Sequence, residues 1–169
     1  MNDIQRIWIQ ALHPKYLGGS ADGFIAVYNA ANNNALKHLT YYGSAGYDQV
    51  YFIEVDRENN IYAAGQTEGN IPIVNAGYGM PNRGQFIAKL GTELDTLLLN
   101  TTIGNRIGNP DISLTAFLVD NCDNIYVSGW GANVALHAGS TNGLPVTNSP
   151  PAIQATTDGQ DFWIAVLTP

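Results

Sequence analysis

Apolar residues in this chain arrive in short runs, each closed by a cluster of Asn, Asp, Gly or Ser. The runs at 24–28, 36–42, 50–55, 61–65, 86–90, 97–103, 114–119, 125–129 and 163–167 are rich in Ile, Val, Leu, Phe and Tyr. Runs of this length and composition between turn residues predict β-strands. Segments 50–55 and 114–119 are almost continuously apolar. A half-exposed strand alternates, so these two predict strands packed on both faces. Only residues 1–12 read differently. Ile4, Ile7, Trp8, Ala11 and Leu12 stand at helical spacing behind Asn2 or Asp3 as an N-cap, which predicts a short helix or turn ended by His13-Pro14. A strand through Ile7-Trp8-Ile9 is the alternative.

The strand-turn pattern repeats. Asp56, Asn60, Ile61, Tyr62 and Gly65 recur 64 positions later as Asp120, Asn124, Ile125, Tyr126 and Gly129. Each copy reads as a strand, a tight polar turn and a returning strand, with the Asp opening a type I turn and Asn60 or Asn124 in a left-handed position. A second set, Phe24-Ile25-Ala26, Phe86-Ile87-Ala88 and Trp163-Ile164-Ala165, supplies a third strand. In the first two copies a polar loop and a further apolar run make it one arm of a hairpin. After the glycines the copies differ in length and meet again at Ile71-Pro72 and Leu144-Pro145. The path from Gly65 to Pro72 takes 7 residues and that from Gly129 to Pro145 takes 16, so the later copy carries an insertion of 9 within residues 130–143. A four-strand unit of roughly constant length that varies only in its loops predicts an all-β repeat architecture of the β-propeller kind.

Composition supports the all-β reading and narrows the partners. Charged residues make up 12% of 169, and Gly accounts for 18. The chain therefore meets water through amides, hydroxyls and turns rather than through charged helix faces. A net charge of −7 opposes phosphate backbones, which excludes nucleic acid as an expected partner. No apolar run approaches the roughly 20 residues of a membrane helix, so no membrane insertion is expected. Residues 1–20 contain no secretory h-region, because Asp3, Gln5, Arg6 and Gln10 interrupt it. Cys122 is the single cysteine, which leaves no disulfide framework, and it reads as a small turn residue.

With these residues assembled, a family resemblance emerges. Residues 18–27 (GGSADGFIAV), 55–65 (VDRENNIYAAG), 71–74 (IPIV), 123–131 (DNIYVSGWG) and 144–147 (LPVT) resemble the SBBP-type β-propeller repeat. The likeness is to the large secreted, gliding-motility-associated surface proteins of Bacteroidetes. The resemblance implies antiparallel four-stranded blades with the 50–55 type of strand innermost, then the 61–65, 86–90 and 97–103 types outward. On that frame residues 1–13 are a lead-in and 14–48 supply the two outer strands of one blade. Residues 49–109 form a complete blade and 110–169 an incomplete one, about two blades plus part of a third. The resemblance further implies a secreted or cell-surface location, adhesion or assembly with a protein or glycan, and no cofactor or catalytic motif. One departure stands out: Asp22 and Asp161 precede two of the Phe/Trp-Ile-Ala runs closely, where the middle copy has Gly84. Stacked units with open flanks also predict self-association.

The candidate chemistry is sparse. Trp130 and His137, in the insertion, are the candidates for stacking on a sugar or a peptide, since loops carry specific contacts. The competing role for Trp130 is to cap a blade edge. Asp56, Asn60, Asp120 and Asn124 offer oxygens for calcium but lack the spacing of a calcium loop, and they read as turns. Asp22, Asp48, Glu54, Asp111, Asp158 and Asp161 contain the carboxylates that a lyase or hydrolase would need, yet no spacing pairs any two of them. His13, His38 and His137 stand alone, and no metal site is expected. Neither a G-x-S-x-G nor a P-loop occurs.

Overall fold

A computed structural model describes residues 11–131, 133–134, 137–146 and 154–168, with backbone alone at 133–134 and 137–138. The helix expected over 1–12 lies, apart from Ala11 and Leu12, outside the described residues. The elements are β1 Gly23–Asn29, β2 Ala35–Tyr42, β3 Asp48–Val55, β4 Ile61–Thr67, β5 Arg83–Leu90, β6 Leu97–Ile107, β7 Ser113–Val119, β8 Ile125–Trp130, β9 Asn133–Val134, β10 His137–Ala138 and β11 Phe162–Leu167. One 3-10 turn, Ala30–Asn32, joins β1 to β2, and no α-helix occurs among the described residues. The all-β expectation holds.

All strand pairings are antiparallel. They form a two-stranded sheet β1-β2, a four-stranded sheet β3-β4-β5-β6, a three-stranded sheet β11-β8-β7 and a small ribbon β10-β9. The order across the four-stranded sheet is the chain order, as the resemblance implied. The sheets stack through two apolar cores. One holds Ile25 and Tyr42 of the first sheet against Ile61, Ala63, Phe86, Ala88 and Leu90 of the middle sheet. The other holds Tyr62, Ala64, Ile87 and Ile103 of the middle sheet against Phe117, Ile125, Val127 and Trp163 of the third. Side chains alternate along a strand, so Ile61 and Ala63 enter one core while Tyr62 and Ala64 enter the other.

This arrangement corrects one expectation. The strands covered on both faces are β4 and β5, interior to the middle sheet. β3 and β7 are edge strands of their sheets and leave Tyr51, Ile53, Val55 and Leu118 exposed. A continuous apolar run cannot distinguish two buried faces from one buried face and one open apolar face.

The sequence repeat is reproduced bond by bond. In the β3–β4 turn, Asp56 Oδ1 accepts from the backbone N–H of Glu58 (2.9 Å) and Asn60 (2.8 Å), and Asp56 Oδ2 accepts from Asn60 Nδ2 (3.0 Å). In the β7–β8 turn, Asp120 takes the same bonds from Cys122 (2.7 Å), Asn124 (3.0 Å) and Asn124 Nδ2 (2.8 Å). The left-handed residues are Asn59 (φ 63°) and Asp123 (φ 61°), one position before the expected Asn60 and Asn124. The Asn that recurs is kept for its side-chain amide rather than for its backbone angle. β3 and β7 also bulge at equivalent places, between Val50 and Phe52 and between Leu114 and Ala116. There Gly65 and Gly129 meet the neighbouring backbone closely. A Cβ on Gly65 would lie 1.9 Å from Gln49 O, and one on Gly129 would lie 2.7 Å from Ser113 O.

Candidate functional site

Trp130 is the last residue of β8, in register with Phe162 of β11 and Ser113 of β7. It therefore belongs to a sheet and not to the inserted loop. Its exposed side chain shares a face with Ser128 and Tyr126 on β8 and with Phe162, Ile164 and Val166 on β11. His137 opens β10 in the ribbon made by the insertion, and its side chain lies outside the described residues. No described contact brings Trp130 and His137 together.

The base of the insertion is tied down. Gly131 N donates to Asp161 O (3.3 Å), Thr141 N donates to Gly159 O (3.1 Å), and the Thr141 and Thr157 hydroxyls lie 2.7 Å apart. Beneath it, Leu144 is buried in the core between the middle and third sheets, as Ile71 is in the preceding core. Trp163 Nε1 donates to Pro145 O at 3.0 Å. A cleft of about 110 Å³ is bordered here by Thr141, Leu144, Val146, Gln154, Thr157 and Phe162. Ligand pockets usually enclose ~300 Å³ or more, so this cleft is small beside them.

Four of the candidate carboxylates, Asp48, Asp111, Asp22 and Asp158, accept hydrogen bonds from nearby groups of the fold, while Asp161 borders the cleft. Asp48 is fully buried, its Oδ2 accepting from Ser44 N (2.8 Å) and Ser44 Oγ (2.9 Å). Asp111 is equally buried, its Oδ2 accepting from Asn105 N (2.7 Å) and Arg106 N (3.1 Å), with Arg106 Nε 3.3 Å from Oδ1. Asp48 opens β3 and clamps the loop that leaves β2, while Asp111 just precedes β7 and holds the end of β6, where Asn105 and Arg106 lie. Sequence reading missed this device. The available signal was the recurrence of Gly43-Ser44 before Asp48 and Gly104-Asn105 before Asp111. Asp22 Oδ2 accepts from Leu17 N, and Asp158 Oδ1 accepts from Gln160 N at 2.9 Å. In the middle copy, a Cβ at Gly84 would meet Asn109 O at 2.1 Å, which explains why a larger residue is absent there.

Among the described residues a cluster of charges centres on Lys89, another residue that sequence reading passed over. Its Nζ lies 2.8 Å from Asp56 Oδ2 in its own sheet, 3.2 Å from Asp123 Oδ2 in the third sheet and 5.0 Å from the centre of the Tyr62 ring. Burial works against the ammonium, but Asp56, Tyr62 and Asp123 together outweigh it and raise its pKa well above the ordinary range. For Asp56, burial pushes the carboxyl up, and the bonds from Lys89 and Asn60 overcome it and hold it below its ordinary 3.8. A lysine so neutralised is a clasp between sheets rather than a base. Tyr42, also buried between sheets, donates its hydroxyl to Asn100 Oδ1 at 2.7 Å, and burial followed by the charge of Asp48 raises its pKa.

Among the described residues no three His, Cys, Asp or Glu side chains gather as a metal would require, and no helix is long and apolar enough to cross a membrane. His38 sits on β2, buried, with Nε2 unpartnered, while His13, bonded through its backbone to Thr40 and Tyr41 of the same strand, has its pKa lowered by burial against the opposing pull of Asp22. No family model, no curated protein and no solved structure matches the chain.

Proposed function

We propose that the chain is a non-catalytic β-propeller repeat module, a partial propeller of antiparallel blades serving a secreted or cell-surface protein as a scaffold for adhesion or protein–protein assembly. The observation that carries this reading is the repeated stacking. Three sheets pack face to face with the middle one covered on both sides, and the middle and third sheets share matching turns and bulges. Stacking of this kind uses each unit's faces to bury its neighbours and leaves loops and end faces for partners. The polar side chains fit the same reading, since Asp48, Asp111, Asp56 and Lys89 are engaged in holding turns and sheets together. Location and adhesive role are carried over from the resemblance to SBBP-type repeats.

A carbohydrate-binding module is the second reading, favoured by Trp130 and Phe162 lying exposed in adjacent strands. A glycan array separates the two. The scaffold reading expects no retained glycan, and a glycan bound by the wild type and lost in Trp130→Ala would replace it with the second. For a lyase or hydrolase, Asp48→Asn and Asp111→Asn are the informative variants. The scaffold reading expects each to lose about 2 kcal/mol of stability by turning an amide donor toward N–H donors. A turnover abolished in a folded variant would make the protein an enzyme.

A further inference from the structure

Three pairs in the chain set Asp or Asn directly before glycine: Asp22-Gly23, Asn142-Gly143 and Asp158-Gly159. A glycine has no side chain to shield its backbone nitrogen, so in each pair that nitrogen can approach the side-chain carbonyl carbon of the residue before it. The fold treats the three differently. Gly23 is buried at the head of β1, in register with Tyr42, and a Cβ there would lie 2.5 Å from Val50 Cγ2. Asp22 keeps Oδ1 buried and accepts from Leu17 N with Oδ2. Gly159 is buried as well. Its N–H donates to Thr157 Oγ1 at 2.9 Å, its carbonyl accepts from Thr141 N at 3.1 Å, and Asp158 Oδ1 accepts from Gln160 N at 2.9 Å. Asn142-Gly143 is held the other way. Leu144 N donates to Thr141 O at 3.2 Å and closes a turn with Asn142 and Gly143 exposed at its tip, Gly143 at φ 76°. Asn142 is tied through its backbone alone, N to Ser140 Oγ at 3.1 Å and O to Asn105 Nδ2 at 3.4 Å. Neither its side-chain amide nor the Gly143 N–H has a hydrogen-bond partner among the described residues.

We propose that Asn142 is a deamidation site, the one of these three pairs that the fold leaves free to cyclise. Gly143 N attacks Asn142 Cγ and the new bond closes a five-membered succinimide. The Cγ–Nδ2 bond breaks, and Nδ2 leaves as ammonia with the proton that Gly143 N gave up. One water then opens the ring. Opening at Cγ leaves aspartate, whereas opening at the main-chain carbonyl of residue 142 leaves isoaspartate, with the chain running through Cγ. The position gives the change a consequence. Isoaspartate puts one more atom into the main chain inside the turn, between Thr141, bonded to Gly159, and Leu144, buried in the core. The Leu144 N to Thr141 O bond cannot keep its spacing under that insertion. Gly143 also rests on β6, where a Cβ on it would lie 2.6 Å from Asn105 Nδ2, so the modification loosens the base of the inserted loop from the middle sheet. It also adds a negative charge to a chain already at −7. None of this depends on the module reading.

The test ages the intact, folded chain in mildly alkaline buffer, digests it and weighs the peptides over time. The peptide carrying residues 142 and 143 is expected to gain the mass difference between an amide and an acid and to split into aspartyl and isoaspartyl forms, ahead of every other asparagine. An Asn142 amide that lasts as long as those of the other exposed asparagines overturns the proposal. Asp158→Asn separates the fold from the dipeptide. It makes a second Asn-Gly pair whose Oδ1 still accepts from Gln160 N, while Gly159 N stays bound to Thr157 Oγ1. In the folded variant, position 158 is expected to keep its amide while Asn142 loses its own, and in denaturant the two are expected to react alike. Equal loss at both positions in the folded protein overturns the proposal. So does a difference that persists in denaturant, since it would come from local sequence. Should Asp158→Asn not give the wild-type circular dichroism spectrum, enzymatic methylation of isoaspartate in the aged wild type decides instead. The label is expected at residue 142 and not at Asp22 or Asp158, and equal labelling of all three overturns the assignment.

Discussion

Asn59 and Asn60 sit side by side in one turn and answer to different constraints. Asn59 adopts φ 63°, where a side chain beyond Asn, Asp or Gly is strained, whereas Asn60 contributes the amide bonded to Asp56 at 3.0 Å. Asn59→Gly is therefore expected to be neutral within a few tenths of a kcal/mol, and Asn59→Val to cost about 1–2 kcal/mol. Asn60→Ala should cost about 1 kcal/mol through the lost bonds, and Asn124→Ala a similar amount. Chemical denaturation of the four variants checks this; an Asn60→Gly protein more stable than the wild type would return the left-handed role to Asn60. The strand glycines obey a harder limit. Gly65→Ala and Gly129→Ala both force a Cβ toward a backbone oxygen, at 1.9 and 2.7 Å, and both are expected to destabilise by about 2–4 kcal/mol, Gly65→Ala the more. Equal midpoints for the two variants and the wild type would mean that the bulged strand yields without loss.

At the scale of elements, the loop carrying the inserted residues divides into a ribbon and its base. Gly131 and Ser140 come close enough that a Cβ on Gly131 would lie 3.0 Å from Ser140 Cα, so the chain leaves and returns at nearly one point. Replacing residues 132–139 by a two-residue Gly-Ser link is expected to leave the melting midpoint within a few degrees, because loop length contributes little to stability. Extending the deletion through Thr141 and Leu144 should collapse stability, since Thr141 is bonded to 157–159 and Leu144 is buried in the core. Thermal melts of both deletions decide the point, and a shallow loss from the longer one would show the base to be dispensable. The clamped connections are the other element-level device. Asp48 and Asp111 fix where each new sheet begins, which sets the spacing of the stack.

Across the whole molecule, Lys89 links the middle and third sheets, and its environment dictates a pH dependence. The Asp56 carboxyl is lowered below 3.8 in the folded state. Its contribution is thus complete above that value and is lost as the pH falls through the folded pKa, because the unfolded chain takes up the proton first. Lys89 is raised, so its share is present at neutral pH and vanishes only on the far alkaline side. Lys89→Met should cost about 2–3 kcal/mol at pH 7 by leaving buried Asp56 without its cation, and should flatten the fall in stability from about pH 4 downward. Denaturation midpoints measured across that range check both. An acid limb of unchanged slope in Lys89→Met would show that Asp56 is held by Asn60 alone.

Local spacing alone was enough to reveal the repeat, the all-β class, the Asp-to-Asn turns and the strands outside the β9–β10 ribbon, because each depends on residues within one turn or one strand of each other. The order of strands in the middle sheet was an expectation taken from the resemblance. What the tertiary structure decided concerns faces and partners distant in the chain. Residues 50–55 are as apolar as any interior strand, yet β3 lies at an edge, while the modest Ala63 and Ala64 occupy the two cores. Asp48 looked like a potential acid or base and is a loop clamp, because its donors sit on a connection it must fold back to meet. Trp130 read as a loop residue and stands on a sheet beside Phe162, 32 positions away, through a pairing that spans the insertion. Ile25, Ile87 and Ile164 occupy equivalent places in the repeat, and only the neighbour across the sheet face makes two of them core and the third surface. Burial is set by what packs against a residue, and no spacing along the chain records that.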